Sequence, residues 1–185
     1  FVASIAKGMD KLTVAIVTKP FKYEGKPRMQ HALDGIEKLK SSVDTMIVVP
    51  NDRLLTIVDK NISFTDGLRK ADDEVLLKAV VGVTELIYRT QVINLDFADV
   101  KTAMTNKGLA HIGIGIGRGD NKAKEAVAAA VENPLLETSV EGASDLLVHI
   151  QGDCTFNEVT EASDYLESLV GSNAKMYFGF DDKIG

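Results

Sequence analysis

Two short β-rich runs with almost no charge bracket one amphipathic repeat, and that arrangement narrows the possible folds sharply. Residues 12–18 (Leu-Thr-Val-Ala-Ile-Val-Thr) and 45–49 (Thr-Met-Ile-Val-Val) read as strands buried on both faces. Between them, Met29, Ala32, Leu33, Ile36 and Leu39 recur at helical spacing, which predicts a helix over residues 27–39. Pro50 closes the second strand. Strand, helix and strand in this order form a βαβ unit with parallel strands and a right-handed crossover. The fold class is therefore α/β. In open sheets of this kind, ligands gather beyond the C-terminal ends of the strands.

The pattern continues beyond this unit. Residues 1–9 read as the tail of a helix cut off at its start. Ser63 and Asp66 form a capping-box-like start for the next helix. Phe64, Leu68, Ala71, Val75, Ala79, Val83 and Leu86 then repeat at three- and four-residue steps to Tyr88. Such a helix has about seven turns and a length of roughly 37 Å, enough to bridge two domains. A shorter helix is expected over residues 96–105. The domain boundary is placed between these helices, giving residues 1–88 and 89–185. The second part reads as strand 110–116, helix 121–132, strand 146–151, helix 157–170 and strand 174–180, a smaller α+β domain. Asn133-Pro134 stops its first helix.

A chain of 185 residues can bury a substantial core. Its 45% hydrophobic and 26% charged content is ordinary for a globular protein. The net charge of −6 argues against nucleic acid and against an anionic membrane surface as partners. No apolar run approaches the ~20 residues that span a bilayer. Cys154 is the single cysteine, so no internal disulfide forms and a cytoplasmic setting is expected. His31, His111 and His149 show no ligand spacing, so no metal site is expected. Gly113, Gly115, Gly117 and Gly119 imitate a phosphate loop but match neither G-x-G-x-x-G nor G-x-x-x-x-G-K-[ST]. A strand packed tightly against a helix, then a loose turn, is the better account.

Three groups of polar residues could carry chemistry. Asp96 and Asp99 lie on one face if a helix starts at Asp96. Paired acids there could orient a water or lie near a cation. They would equally serve as helix-capping groups. Glu24 and Arg28 stand at the turn after the first strand, marked by Pro20 and Gly25. They could be an exposed i,i+4 ion pair or ligand contacts at the sheet's C-terminal end. Asn51 follows the second strand at the same end, and Asp73, next to Asp72, lies within the long helix. A carboxylate accepts the N1–H and 2-amino protons of guanine, which adenine does not offer. An exposed acidic patch is the alternative reading for Asp72, Asp73 and Glu74.

Several segments, in this order and spacing, resemble the FtsZ family, the bacterial cell-division relatives of tubulin. They are Thr-Lys-Pro-Phe-Lys-Tyr-Glu-Gly-Lys (18–26), Val-Pro-Asn-Asp-Arg-Leu-Leu (49–55), Gln-Val-Ile-Asn-Leu-Asp-Phe-Ala-Asp-Val (91–100), Gly-Ile-Gly (113–115) and Asn-Pro-Leu-Leu-Glu (133–137). The resemblance runs almost from end to end and implies part of a Rossmann-like GTPase domain, a long central helix and a smaller C-terminal domain. It implies GTP and GDP as ligands, with Mg2+ or a monovalent cation, and a head-to-tail homopolymer at the division site. Glu24 and Arg28 would meet the sugar and phosphate region, and Asn51 and Asp73 the guanine. Asn94, Asp96 and Asp99 match the loop that enters the next subunit's nucleotide pocket, where they would position the attack on the γ-phosphate. Leu68 departs from the family's frequent Phe, and Thr90-Gln91 from its usual Pro-Gly. The sequence is expected to be an internal piece lacking the glycine-rich phosphate loops and the last strands. Its own function would then be either part of that enzyme or an inert docking module.

Overall fold

The computed structural model describes residues 1–53, 63, 65–66, 69, 77–88, 93, 96–133, 136, 139–171 and 173–182. These form two compact units, residues 1–83 with 104–112, and residues 84–103 with 113–185.

The first unit begins with helix α1 (Val2–Gly8), then strand β1 (Val14–Lys19), a 3-10 turn (Lys22–Glu24), helix α2 (Lys26–Lys40) and strand β2 (Thr45–Pro50). Gly25 sits between turn and helix at φ 92°, a conformation that costs a glycine little. Pro27 then occupies the first turn of α2, where its missing N–H has no intrahelical partner to lose. β1 and β2 are parallel, in register from Val14 opposite Thr45 to Lys19 opposite Pro50. The βαβ reading of the sequence is thus the observed architecture. Val43, Met46 and Val48 form the centre of the core, against Ala3, Ala15, Val17, Ile36 and Leu39.

One strand was expected elsewhere. Residues 108–110, not 110–116, form strand β3 (Gly108–Ala110). It extends the first sheet in the order β1-β2-β3, parallel to β2 with Thr45 opposite Gly108. Asp44 organises this edge of the sheet. Its Oδ2 accepts the Thr13 N–H at 2.9 Å, and its carbonyl accepts the Gly108 N–H at 3.1 Å. The buried Thr45 hydroxyl donates to the Met104 carbonyl. β2 is buried along most of its length because a strand flanks it on each side. β1 is only half-buried, being an edge strand among the described residues.

The second unit contains helices α3 (Lys78–Tyr88, from residue 84 on) and α4 (Phe97–Met104, up to residue 103). There follow helix α5 (Lys122–Val131), strand β4 (Asp145–Gln151), helix α6 (Phe156–Val170) and strand β5 (Lys175–Asp181). β4 and β5 pair in parallel across α6, a second βαβ unit, and Ile93 adds an antiparallel bridge to Phe180. The core joins Ala123 and Val127 of α5 to Ile150 of β4 and to Ala162 and Leu166 of α6. Of the long helix expected from Phe64 to Tyr88, residues 65–66, 69 and 78–88 are helical. Its start is capped as expected, the Asp66 N–H donating to Ser63 Oγ at 3.1 Å.

Residues 111–118 form no strand, and residues 113–117 run as a strap along α5. An added Cβ would lie 2.2 Å from the Ala130 carbonyl oxygen at Gly113, 1.9 Å from that of Ala126 at Gly115, and 1.7 Å from that of Lys122 at Gly117. The match is geometric. Two extended residues advance about 6.6 Å, and four helical residues about 6.0 Å. Alternate glycines therefore fall on successive carbonyls of one helical row, at a distance that admits only Cα–H contacts. Asn133 Nδ2 donates to the Ile114 carbonyl at 2.6 Å and holds the strap from the far end of α5.

Candidate functional site

The C-terminal ends of β1 and β2 lie side by side at Lys19 and Pro50, so the segments leaving them are neighbours. After β1, Pro20 and Phe21 lead into the 3-10 turn. Phe21 is buried and stacks on Tyr23, with ring centroids 5.0 Å apart and planes 15° from parallel. Glu24 is engaged by both oxygens. Oε1 accepts the Phe21 N–H at 2.8 Å, and Oε2 pairs with Arg28 Nε at 3.0 Å. The Arg28 side chain is 72% exposed and that of Glu24 17%, so the guanidinium stands in solvent on an acid that the turn has fixed. Partial desolvation pushes the Tyr23 phenol up, Glu24 and Asp52 push in the same direction, and Arg28 opposes them.

After β2, residues 51–53 are helical, which starts Asn51 directly at the sheet's end. The two segments are tied together: the Lys22 N–H donates to Asp52 Oδ1 at 3.2 Å. The fold thus brings Glu24, Arg28 and Asn51 to one end of one sheet. Asp73 lies outside the described residues. Sequence reasoning passed over Asp52, although its place beside Asn51 in Pro-Asn-Asp-Arg was the available signal.

In the second unit Asp96 is the N-cap of α4. Its Oδ1 accepts the Ala98 N–H at 3.0 Å, and its carbonyl accepts those of Asp99 and Val100 at 2.9 and 3.1 Å. Asp99 lies in the first turn, and both acids are exposed. Val100, one turn below Asp96, is fully buried and anchors the helix that displays them. Capping and chemistry are compatible here, because a carboxylate tied by one oxygen is held in one orientation. Asn94, with Leu68 and Thr90-Gln91, lies outside the described residues. Among the described residues no three His, Cys, Asp or Glu side chains converge on a common point.

At the start of α6, Thr155 and Glu158 form a reciprocal capping box, with Thr155 N–H to Glu158 Oε2 at 2.7 Å and Glu158 N–H to Thr155 Oγ1 at 3.3 Å. Lys122 Nζ reaches Glu158 Oε1 at 3.2 Å. The Thr155 backbone and hydroxyl, then Lys122, hold the Glu158 carboxyl below the usual range. Burial pushes the neighbouring Cys154 thiol up, which disfavours the reactive thiolate. No described helix is long and apolar enough to cross a membrane.

A parallel sheet with polar groups gathered at its C-terminal end, and a second unit of similar size built on another βαβ, match the fold of the tubulin-like GTPases. The family model for the GTPase domain of the tubulin/FtsZ family matches residues 1–59, and that for the FtsZ C-terminal domain matches residues 108–184. A point mutant of FtsZ from M. jannaschii shares 44% identity over 100% of this chain, with a TM-score of 0.91, and this chain covers 55% of it. An empty FtsZ dimer from M. jannaschii gives 44% identity over 98% of the chain, TM-score 0.90 and 53% coverage. GDP-bound CetZ1 from Haloferax volcanii shares the fold at 17% identity, with a TM-score of 0.80. The chain is an FtsZ-like member of the tubulin/FtsZ family, and it spans about half the length of these solved relatives.

Proposed function

We propose that this chain is part of a GTPase that assembles head to tail with copies of itself and hydrolyses GTP between adjacent subunits. Its setting is a cytoplasmic filament at the division site. The observation that carries the reading is the joining of the Glu24–Arg28 turn to the Asn51 segment at the sheet's C-terminal end, through Lys22 and Asp52. The dimeric FtsZ relative and a CetZ2 relative described as a GTPγS-bound protofilament support self-association.

In this reading Arg28 meets the sugar and phosphate region of the nucleotide, with Glu24 fixing its direction. Asn51 and Asp73 read the guanine edge. Asn94, Asp96 and Asp99 act on the neighbouring subunit's nucleotide. Phosphoryl transfer asks a protein chiefly for positioning and charge stabilisation. Exposed carboxylates at a rigid helix start orient a water for in-line attack on the γ-phosphate. Bound Mg2+ or a monovalent cation would neutralise charge on the phosphates.

The test uses the full-length protein that carries this segment. Asp96→Ala or Asp99→Ala lowers GTP turnover by about a hundredfold, the scale of losing one positioning group, while GDP affinity stays within twofold. Equal loss of affinity and turnover would refute action on a neighbour. The second reading is a docking-only role for the isolated 185 residues, which span about half the length of the solved relatives. GTP turnover by the 185-residue chain alone, compared with turnover after mixing with the family's N-terminal half, distinguishes the two.

A further inference from the structure

We infer that Asp52 is a positioning residue for nucleotide, acting through Glu24 and Arg28 by clamping the backbone of the turn that presents them. The inference rests on the reading of Glu24 and Arg28 as nucleotide contacts.

A three-residue 3-10 turn makes few backbone hydrogen bonds of its own. Its internal bonds are Glu24 N–H to the Phe21 carbonyl at 3.0 Å and Gly25 N–H to that of Lys22 at 3.2 Å. The Lys22 N–H, at the first position of the turn, has no carbonyl to reach within it. Asp52 supplies that acceptor from 30 residues away in sequence. The buried Phe21 ring fixes the turn's entrance, and Gly25 at φ 92° joins its exit to α2, which carries Arg28. Glu24 is itself tied to Phe21 and paired with Arg28, so a shift at Lys22 moves the Glu24 carboxylate out of line with both. Asp52 therefore sets the distance between the acid–guanidinium pair and Asn51, its own neighbour in the chain.

Two substitutions isolate the bond from opposite sides. Asp52→Ala removes the acceptor. Lys22→Pro removes the donor, and the backbone tolerates it because Phe21 is already extended at φ −65°, ψ 149°, as a residue before proline must be. Asp52→Asn keeps an oxygen that accepts the same N–H.

The experiment is GDP calorimetry and steady-state GTP turnover on the full-length protein, with folding checked by circular dichroism. Asp52→Ala and Lys22→Pro each weaken GDP binding about fivefold, the scale of one partly exposed hydrogen bond to a charge. Combined, they weaken it no further, and on a Glu24→Ala background neither adds a loss. Asp52→Asn restores affinity to within twofold, and in Asp52→Ala and Lys22→Pro the loss falls on binding rather than on kcat, because Asp96 and Asp99 are untouched. Additive losses, a lowered kcat, no rescue by Asp52→Asn, or unchanged affinity in Asp52→Ala each overturn the inference. If Glu24→Ala and Arg28→Ala both leave GDP affinity intact, the nucleotide site itself is misplaced and the inference falls with it. A loss in those variants with none in Asp52→Ala rejects the clamp alone.

Discussion

Gly115→Ala and Gly35→Ala are the same chemical change with opposite expected signs. At Gly115 the new Cβ would sit 1.9 Å from the Ala126 carbonyl oxygen and 2.4 Å from the Ala130 nitrogen, both backbone atoms of α5. A relaxed C···O contact needs about 3.3 Å, so the strap or the helix must move by about 1.4 Å. Neither moves freely. The strap is held by Asn133 on Ile114, and α5 carries Ala123 and Val127 into the core of the second unit. Overpacking of this kind costs typically 1–3 kcal/mol, and backbone opposition puts Gly115 at about 3 kcal/mol. At Gly35, on α2, nothing lies within 4 Å of the added Cβ. There alanine stabilises by about 0.5–1 kcal/mol, since glycine is the poorer helix former. Urea unfolding of the 185-residue chain measures both, and hydrogen exchange of α5 amides locates the Gly115 effect. A Gly115→Ala midpoint within about 0.5 kcal/mol of wild type would refute the close-approach reasoning, being the size of an ordinary surface change.

Other outcomes follow from single contacts. Asp44→Ala deprives the Thr13 N–H of its acceptor at a largely buried position and destabilises the chain by about 1–3 kcal/mol in urea unfolding. Glu158 has a folded-state pKa below its unfolded value, so its contribution is complete above the unfolded carboxylate range of about 4.3 and fades as pH falls through the lower folded value. Glu158→Gln therefore flattens the acid limb of a stability–pH curve, and a limb as steep as wild type rejects the assignment. Asp96→Ala also removes a helix cap and lowers stability by about 1 kcal/mol, whereas Asp99→Ala, equally impaired in turnover, does so less. Thermal unfolding separates the two.

Short-range rules made much of this chain legible. The apolar repeat from Met29 to Leu39 between two uncharged runs gave the parallel pair β1–β2, because side-chain periodicity is a local property of helix and strand. Ser63 and Asp96 were readable as helix caps, since a cap bonds only two or three residues ahead. The candidate acid and guanidinium, Glu24 and Arg28, were visible for the same reason, lying one helical turn apart. The spacing of Gly113, Gly115 and Gly117 already argued for close packing on a helix. What those residues touch was not legible. Their fit to the Lys122, Ala126 and Ala130 carbonyls arises because two extended residues and four helical ones advance by nearly equal lengths once the chain has turned back on itself. The same holds for β3, where Gly108 to Ala110 became a strand by finding the free edge of β2. It holds for Asp44 and Asp52, whose partners Thr13 and Lys22 stand 31 and 30 residues away. Sequence alone determined which segments could be strand, helix or cap. Tertiary structure decided which of them share an edge and which carboxylate holds which turn, because a hydrogen bond between distant residues depends on chain return, of which local pattern carries no trace.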